Sequence, residues 1–387
     1  MSILKHAMLY TMAQDRPFQG DVRIKDGKIV EVGQALTGDA SEACIDLSGC
    51  FLMPGLIDAH AHIGMWEDGL DFEGADGNES VDPVTPHLRA IDAINPFDRC
   101  FEEAREGGVT TVVTGPGSAN VIGGTFLAMK TMGSCIDDMV ICDPLAMKIA
   151  FGENPKRVYA EQKRSPITRM ATAAMLREAL QKAKQYGEKK QKARDGQGDA
   201  PEYNARYEAL LPVLQGEIPL KAHAHRADDI QTALRIAKEF GCRLTLDHCT
   251  EGHLIAEQLA KEDVGIILGP LMCDRGKPEL KNLTMKAPMK MEKAGIPFAV
   301  MSDHPVTATQ NLLVTMALAV REGLSETAAL RAVTLYAAQI LGLADRIGSI
   351  EVGKDADLVA YSHEPLDILA KPKQVWIDGR TVFDGVR

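Results

Sequence analysis

The chain has 387 residues, 45% of them apolar and 25% charged, a composition that excludes disordered and fibrous classes and fits a folded globular protein. Its net charge of −11 argues against nucleic acid or an anionic membrane as the main partner, because neutralising phosphate needs clustered Lys and Arg. The length suits one large α/β barrel with a smaller appendage, or two ordinary domains.

The amino-terminal stretch Met1–Gly20 has no apolar core of signal-peptide length, and no later run approaches a membrane span. A cytoplasmic protein is expected. Eight cysteines (Cys44, Cys50, Cys100, Cys135, Cys142, Cys242, Cys249 and Cys273) are scattered without a C-x-x-C pair. In a chain of this length that predicts reduced, mostly buried thiols, not a disulfide framework or a thiolate zinc site.

Residues 1–54 read as short strands with turns, as in DVRIKDGKIVEVG, where Asp26-Gly27 is a hairpin signal. The same grammar returns over 345–387, with Asp378-Gly379 as the turn. The two sets of strands are expected to pair into one small β domain, a β-sandwich built from both termini. Residues 55–344 alternate β and α. Apolar runs appear at CFLMPGLIDAH, GVTTVVTG, LAMKIAF, IPLKAHAH, CRLTLDH, VGIILGP and IPFAVMSD. An eighth strand is expected within 125–142, where TFLAMKT and DMVICD compete. Such alternation predicts a parallel sheet closed into a (β/α)8 TIM barrel. The basic run Lys182–Arg194 has helical spacing and reads as a solvated helix face, and residues 193–203 read as an exposed connection.

His60 and His62, in GLIDAHAHIG, are two apart at the end of an apolar strand, so both rings project from one face and can converge on one ion. Barrel active sites lie at the carboxyl ends of the strands. This sequence places Lys148, His223, His225, His248 and Asp303 at such ends, and seven of its ten histidines lie at or just beyond a strand end.

The joint pattern resembles the amidohydrolase superfamily, specifically its imidazolonepropionase-like branch, which also has prolidase-like relatives. The resemblance covers nearly the whole chain, through FLMPGLIDAHAH, GVTTVVTGPGSANVIGG, AFGENPKRVY, PLKAHAHRADDI, LDHCTEGH and GSIEVGKDADLV. It implies a distorted (β/α)8 barrel with a small β-sandwich, one or two divalent metals, zinc foremost, and a small-molecule substrate. His60, His62 and Asp303 would bind the more buried metal. His223 and His248 would bind the second, and Lys148 would bridge both as a CO2-derived carbamate. Neutral imidazoles suit zinc, and a bound divalent ion lowers the pKa of water from about 15.7 to about 7. Asp303 would take the proton of that water and deliver it to the leaving nitrogen.

Two choices rest on local context. Lys130 shares the tetrapeptide LAMK with Lys148, and Lys148 is preferred because its segment precedes the helical insertion and the KAHAH strand. Imidazolonepropionase and the mononuclear deaminases of the superfamily place a glutamate three residues after the fifth-strand histidine. Here that residue is Arg226. Its presence favours a binuclear amide hydrolase over a deaminase, and His225 and Arg226 become candidates for binding a substrate carboxylate or carbonyl. The competing reading of Arg226 is a surface pair with Asp228 or Asp229.

The loop Gly115–Gly124 lacks the ending of a phosphate-binding loop and is expected to wall the pocket. The acidic stretch Trp66–Ser80 is a lid candidate, and His6, His87 and His363 receive no role. The expected activity is hydrolysis of a C–N bond, amide or cyclic amide. The alternatives are a prolidase-like dipeptidase or carboxypeptidase, a mononuclear imidazolonepropionase-like or deaminase activity, and a non-catalytic scaffold. Homo-oligomerisation is left open.

Overall fold

The computed structural model describes residues 1–38, 42–67 and 70–385. The N-terminal part forms β1 (Ser2–Leu9), β2 (Phe18–Lys25), β3 (Lys28–Gly33), β4 (Ala43–Asp46) and β5 (Phe51–Pro54). Asp26 and Gly27 turn β2 into β3 with φ of 50° and 79°. Two consecutive positive φ values define the mirror-image turn whose twist matches a tight hairpin.

The run CFLMPGLIDAH is not one strand. It breaks at Gly55, where a Cβ would sit 2.1 Å from Thr110 Oγ1. At this residue the chain leaves β5 for the first strand of a second sheet. That sheet comprises β6 (Leu56–Ala61), β7 (Val109–Thr114), β8 (Ile122–Lys130), β9 (Val140–Ala150), β10 (Leu220–Ala224), β11 (Leu244–His248), β12 (Gly265–Leu268) and β13 (Phe298–Val300). Its eight strands neighbour one another in sequence order.

One open choice is resolved here and one expectation needs correction. TFLAMKT belongs to β8, the eighth strand, whereas VICD opens the long strand β9 that carries Lys148. In addition, the sheet is not wholly parallel, because β8 runs antiparallel to both β7 and β9. The cause is connection length. Residues 115–121 and 131–139 are too short for the crossover of about a dozen residues or more that returns a chain to the same edge. From β9 to β13 every pairing is parallel.

Among the described residues no ladder joins β13 to β6, so the barrel is nearly closed. Backbone bonds bridge the gap at the carboxyl end instead: Asp303 N–H donates to His60 O (3.1 Å) and His62 N–H to His304 O (3.0 Å). The buried carboxylate of Asp58 accepts from Ser302 N–H (3.0 Å), the Ser302 hydroxyl and the Thr309 hydroxyl (2.5 Å). These bonds fix the segment that carries Asp303 against the strand that carries His60.

The insertion between β9 and β10 contains a helix of 26 residues, Arg169–Arg194, whose Ala183 and Tyr186 are buried while Lys182, Lys184, Lys189 and Lys192 are exposed. The basic run is therefore a solvated helix face, and residues 195–200 form an exposed connection. The chain ends in β14 (Leu358–Tyr361), β15 (Pro372–Ile377) and β16 (Arg380–Asp384), with Asp378 and Gly379 in the turn. These strands extend the first sheet in the order β16-β15-β14-β5-β1-β2-β3, with β4 beside β1. Both termini thus share one sheet, with its own core of Leu4, Val22, Ile29, Leu52, Leu358 and Trp376.

No disulfide joins the cysteines among the described residues, but only Cys50, Cys100 and Cys249 are buried. Cys44 and Cys135 are exposed, contrary to the expected burial, because one is on the short strand β4 and the other on the loop before a single helical turn. No helix among the described residues is long and apolar enough to cross a membrane.

Candidate active site

Parallel strands present their carboxyl ends to one rim, and two clusters of potential ligands converge there. The first is His60, His62 and Asp303, and the second is His223, His225 and His248. His60 Nε2 and His62 Nε2 lie 3.5 and 3.3 Å from Asp303 Oδ1. Ligands about 2.0–2.1 Å from a tetrahedral ion are separated by about 3.3 Å, so this spacing is that of a cation-sized gap.

The tautomers follow from the partners. His60 Nδ1 donates to Asp247 Oδ2 (2.8 Å), His62 Nδ1 to Gly115 O (2.7 Å) and His248 Nδ1 to Gly269 O (2.9 Å). Carboxylates and carbonyls only accept, so the proton sits on Nδ1 and Nε2 keeps its lone pair. His225 Nδ1 pairs with Thr250 Oγ1 at 2.8 Å, which turns its Nε2 the same way.

Burial favours the neutral form of His60, His223, His225 and His248. It pushes His60 down to about 4, with the charge of Lys148 adding to the effect. It pushes His225 to about 3 and lowers His223 and His248. Burial alone would raise Asp303, but the proximity of His248, His60 and His62 holds it well below the usual carboxylate range. The site therefore pairs neutral donors with an ionised carboxylate, the forms a divalent cation requires. His248 and Asp303 have φ of 69° and 53°, a left-handed backbone that non-glycine residues rarely adopt.

Lys148 is fully buried, with Nζ 3.4 Å from His60 Nε2 and 5.3 Å from the centre of the Phe126 ring. Burial lowers its pKa to about 8. Lys130 does not reach the site; its ammonium bonds Asp355 (2.9 Å) and Asp357, away from the histidines.

Arg226 needs correction as a substrate-binding candidate. Its guanidinium donates two bonds of 2.9 Å to Asp228 and its side chain is 40% exposed. It occupies the position before the helix Ala227–Phe240 without a side-chain cap bond, and an aspartate two residues ahead captures it locally.

A cavity of about 680 Å³ opens over the two clusters, and Arg157 and Lys277 are among its lining residues. Gly117 and Ser118 line it too, so the loop 115–124 does form a wall. Trp66 lies edge-on to His62, with ring centres 4.8 Å apart, and Asn78 also faces the cavity. The lid candidate thus borders the site at both ends, and its residues 68 and 69 lie outside the described part of the chain.

Sequence reasoning missed Asp247, Lys221 and Glu279. Asp247 holds His60 and accepts from Lys221 Nζ at 3.1 Å. Both were detectable as charged residues inside the apolar strands LTLDH and PLKAHAH. Glu279, almost wholly buried, brings Oε1 to 3.6 Å from His225 Nε2 and 3.9 Å from His223 Nε2. It comes from the loop after β12, where no periodicity marks it.

Residues 51–382 match the amidohydrolase family model. The amidohydrolase tasK of Hapsidospora irregularis is 32% identical over 94% of this chain, which spans only 40% of that longer protein. An imidazolonepropionase of Maricaulis maris is 28% identical, covering 95% of this chain and 94% of its own. The crystal structure of an amidohydrolase from Thermotoga maritima superposes with a TM-score of 0.96 at 44% identity, over 99% of this chain and all of the other. The chain belongs to the amidohydrolase family and is a hydrolase acting on carbon–nitrogen bonds.

Proposed function

We propose that the protein is a metal-dependent amidohydrolase that cleaves an amide or cyclic amide bond of a small molecule at this rim. The observation that carries the reading is the first cluster: two imidazoles and one carboxylate at cation spacing, each imidazole held by an acceptor on its other nitrogen. His60, His62 and Asp303 would hold the first cation, zinc by donor type, and His223 and His248 the second. Lys148 would join the two as a carbamate; its lowered pKa supplies the neutral amine that adds CO2. Bound there, divalent cations supply Lewis acidity, which acidifies a water and polarises a carbonyl.

The remaining chemistry belongs to the chain's own side chains. The carboxylate of Asp303 would accept the proton of the attacking water and return it to the leaving nitrogen, while Asp247 and Gly115 keep the His60 and His62 rings from turning. His225, together with Arg157 and Lys277 in place of Arg226, faces the cavity where a substrate carbonyl or carboxylate would lie. The testing experiment is a hydrolysis screen of N-acyl amino acids, lactams and dipeptides with zinc or manganese restored to chelated protein. Turnover of an acyl or cyclic amide that needs the added metal supports the reading. Turnover confined to dipeptides would move the substrate class to the prolidase-like alternative, and metal-independent turnover would refute the mechanism.

A further inference from the structure

Glu279 is held in an unusual way. It lies in the helical turn Pro278–Leu280 and is 2% exposed. One oxygen, Oε2, accepts the backbone N–H of Glu153 at 3.0 Å. The residue before Glu153 is Gly152, with φ of +80°, and a Cβ there would come within 2.7 Å of the same oxygen. The chain therefore clears space for this carboxylate and clamps one end of it. The other oxygen, Oε1, is buried and has no hydrogen-bond partner among the described residues. A buried anionic oxygen without a donor is costly unless a cation completes it.

That oxygen points at the second cluster. It is 3.6 Å from His225 Nε2 and 3.9 Å from His223 Nε2. The ligand atoms of His223, His225 and His248 all lie within 4.8 Å of one another. His225 and His248 have their Nδ1 atoms occupied by Thr250 and Gly269, so both direct Nε2 inward. The edges of a tetrahedral zinc site are about 3.3–3.5 Å; the two Glu279 contacts exceed this by a few tenths of an ångström, and the separations within the imidazole set, at most 4.8 Å, must close further around an ion. Two contacts oppose it. Asn154 Nδ2 lies 3.5 Å from His223 Nε2, and the Lys277 ammonium, which donates to Asn154 Oδ1 at 3.1 Å, is a positive charge on the same side. Apart from the Lys148 carbamate shared with the first cation, a second cation here would have only neutral imidazoles and that ammonium around it.

We propose that Glu279 and His225 are ligands of the second cation, completing a site of three imidazoles and one carboxylate with His223 and His248. The placement rests on the metal-dependent reading above and deepens it: His225 moves from substrate contact to metal ligand, and the second cation gains an anchor independent of the Lys148 carbamate.

The test counts cations. Wild-type protein, Glu279→Gln and His225→Ala are loaded with excess zinc, gel-filtered and analysed by mass spectrometry for metal per chain, with circular dichroism confirming the fold. Cobalt loading followed by visible absorption reports the same occupancy. Glutamine keeps the shape of Glu279 and its bond from Glu153 while removing the charge. The expected result is two cations per wild-type chain and one in each variant, with at least a tenfold weaker second equivalent. Two tightly held cations in both variants would overturn the placement alone and leave the metal-dependent reading standing. A wild-type chain that retains none would overturn that reading and the placement with it. Should Glu279→Gln fail to fold, His225→Ala carries the same decision.

Discussion

The tetrapeptide LAMK occurs twice, at Leu127–Lys130 and at Leu145–Lys148, on adjacent strands β8 and β9. Both lysines are buried, yet they do opposite things. Lys148 lies opposite Gly124 at the histidine end of the barrel, whereas Lys130 lies opposite Thr111 at the other end. Burial lowers Lys148, which makes no ion pair among the described residues. Burial would lower Lys130 as well, but Asp357, Asp355 and Asp378 raise it instead. Asp355 and Asp357 precede β14 and Asp378 follows β15, so Lys130 is an ammonium that ties the barrel to the first sheet. Identical local sequence thus yields a buried amine beside the histidines or a structural clamp, and the direction of the strand decides which.

Several substitutions sharpen that contrast between the reactive rim and the structural end. The largest effect is expected from Asp303→Asn, where the amide keeps the shape but cannot accept a proton. General acid–base steps contribute about 10²–10⁴-fold, so kcat should fall by at least that range in a metal-loaded, folded variant. Near-normal turnover there would remove Asp303 from the proton path. Next comes Lys148→Ala. Loss of a bridging anion should lower kcat by about 10²-fold or more, as for other groups that stabilise charge in the reaction, and weaken the second cation. Acetate should restore part of the activity by filling the space of the carbamate, which a folding defect would not permit.

Lys130→Met should invert this pattern. Removing one partner from a buried ion-pair group costs about 3–5 kcal/mol, read as a lower midpoint in chemical denaturation. Metal content and kcat per folded chain should remain those of the wild type. If Lys130→Met instead strips metal, the two lysines have been assigned to the wrong ends. The smallest effect belongs to Arg226→Ala. Its exposed pair with Asp228 is worth about 0–1 kcal/mol, and kcat/KM should stay within about twofold; a tenfold loss of kcat/KM would return Arg226 to the pocket.

Much of the rim was readable because its ligand candidates coincide with strand ends, a feature that survives errors in strand direction. Both hairpins were readable for a related reason, since Asp26-Gly27 and Asp378-Gly379 impose a backbone that few other pairs adopt. The reversal of β8 was not, because periodicity reports which face is buried and never which way the chain runs. The break at Gly55 was hidden in one continuous apolar run, since it arises from the approach of Thr110 from another strand. Arg226 had two open readings, and its guanidinium pairs with the side chain two residues ahead, Asp228, as the second of them expected. Glu279 was invisible since its carboxylate is placed by the backbone N–H of Glu153 and the space left at Gly152, far away in sequence.

The most direct test is an anomalous-difference map from crystals of the zinc-loaded protein, with the side-chain density of both lysines inspected in the same crystal. The account predicts one peak between His60, His62 and Asp303, a second among His223, His248 and their neighbours, and planar density beyond the Lys148 nitrogen with none beyond that of Lys130. Clusters without any peak, or a bare ammonium at Lys148 between two occupied sites, would contradict it.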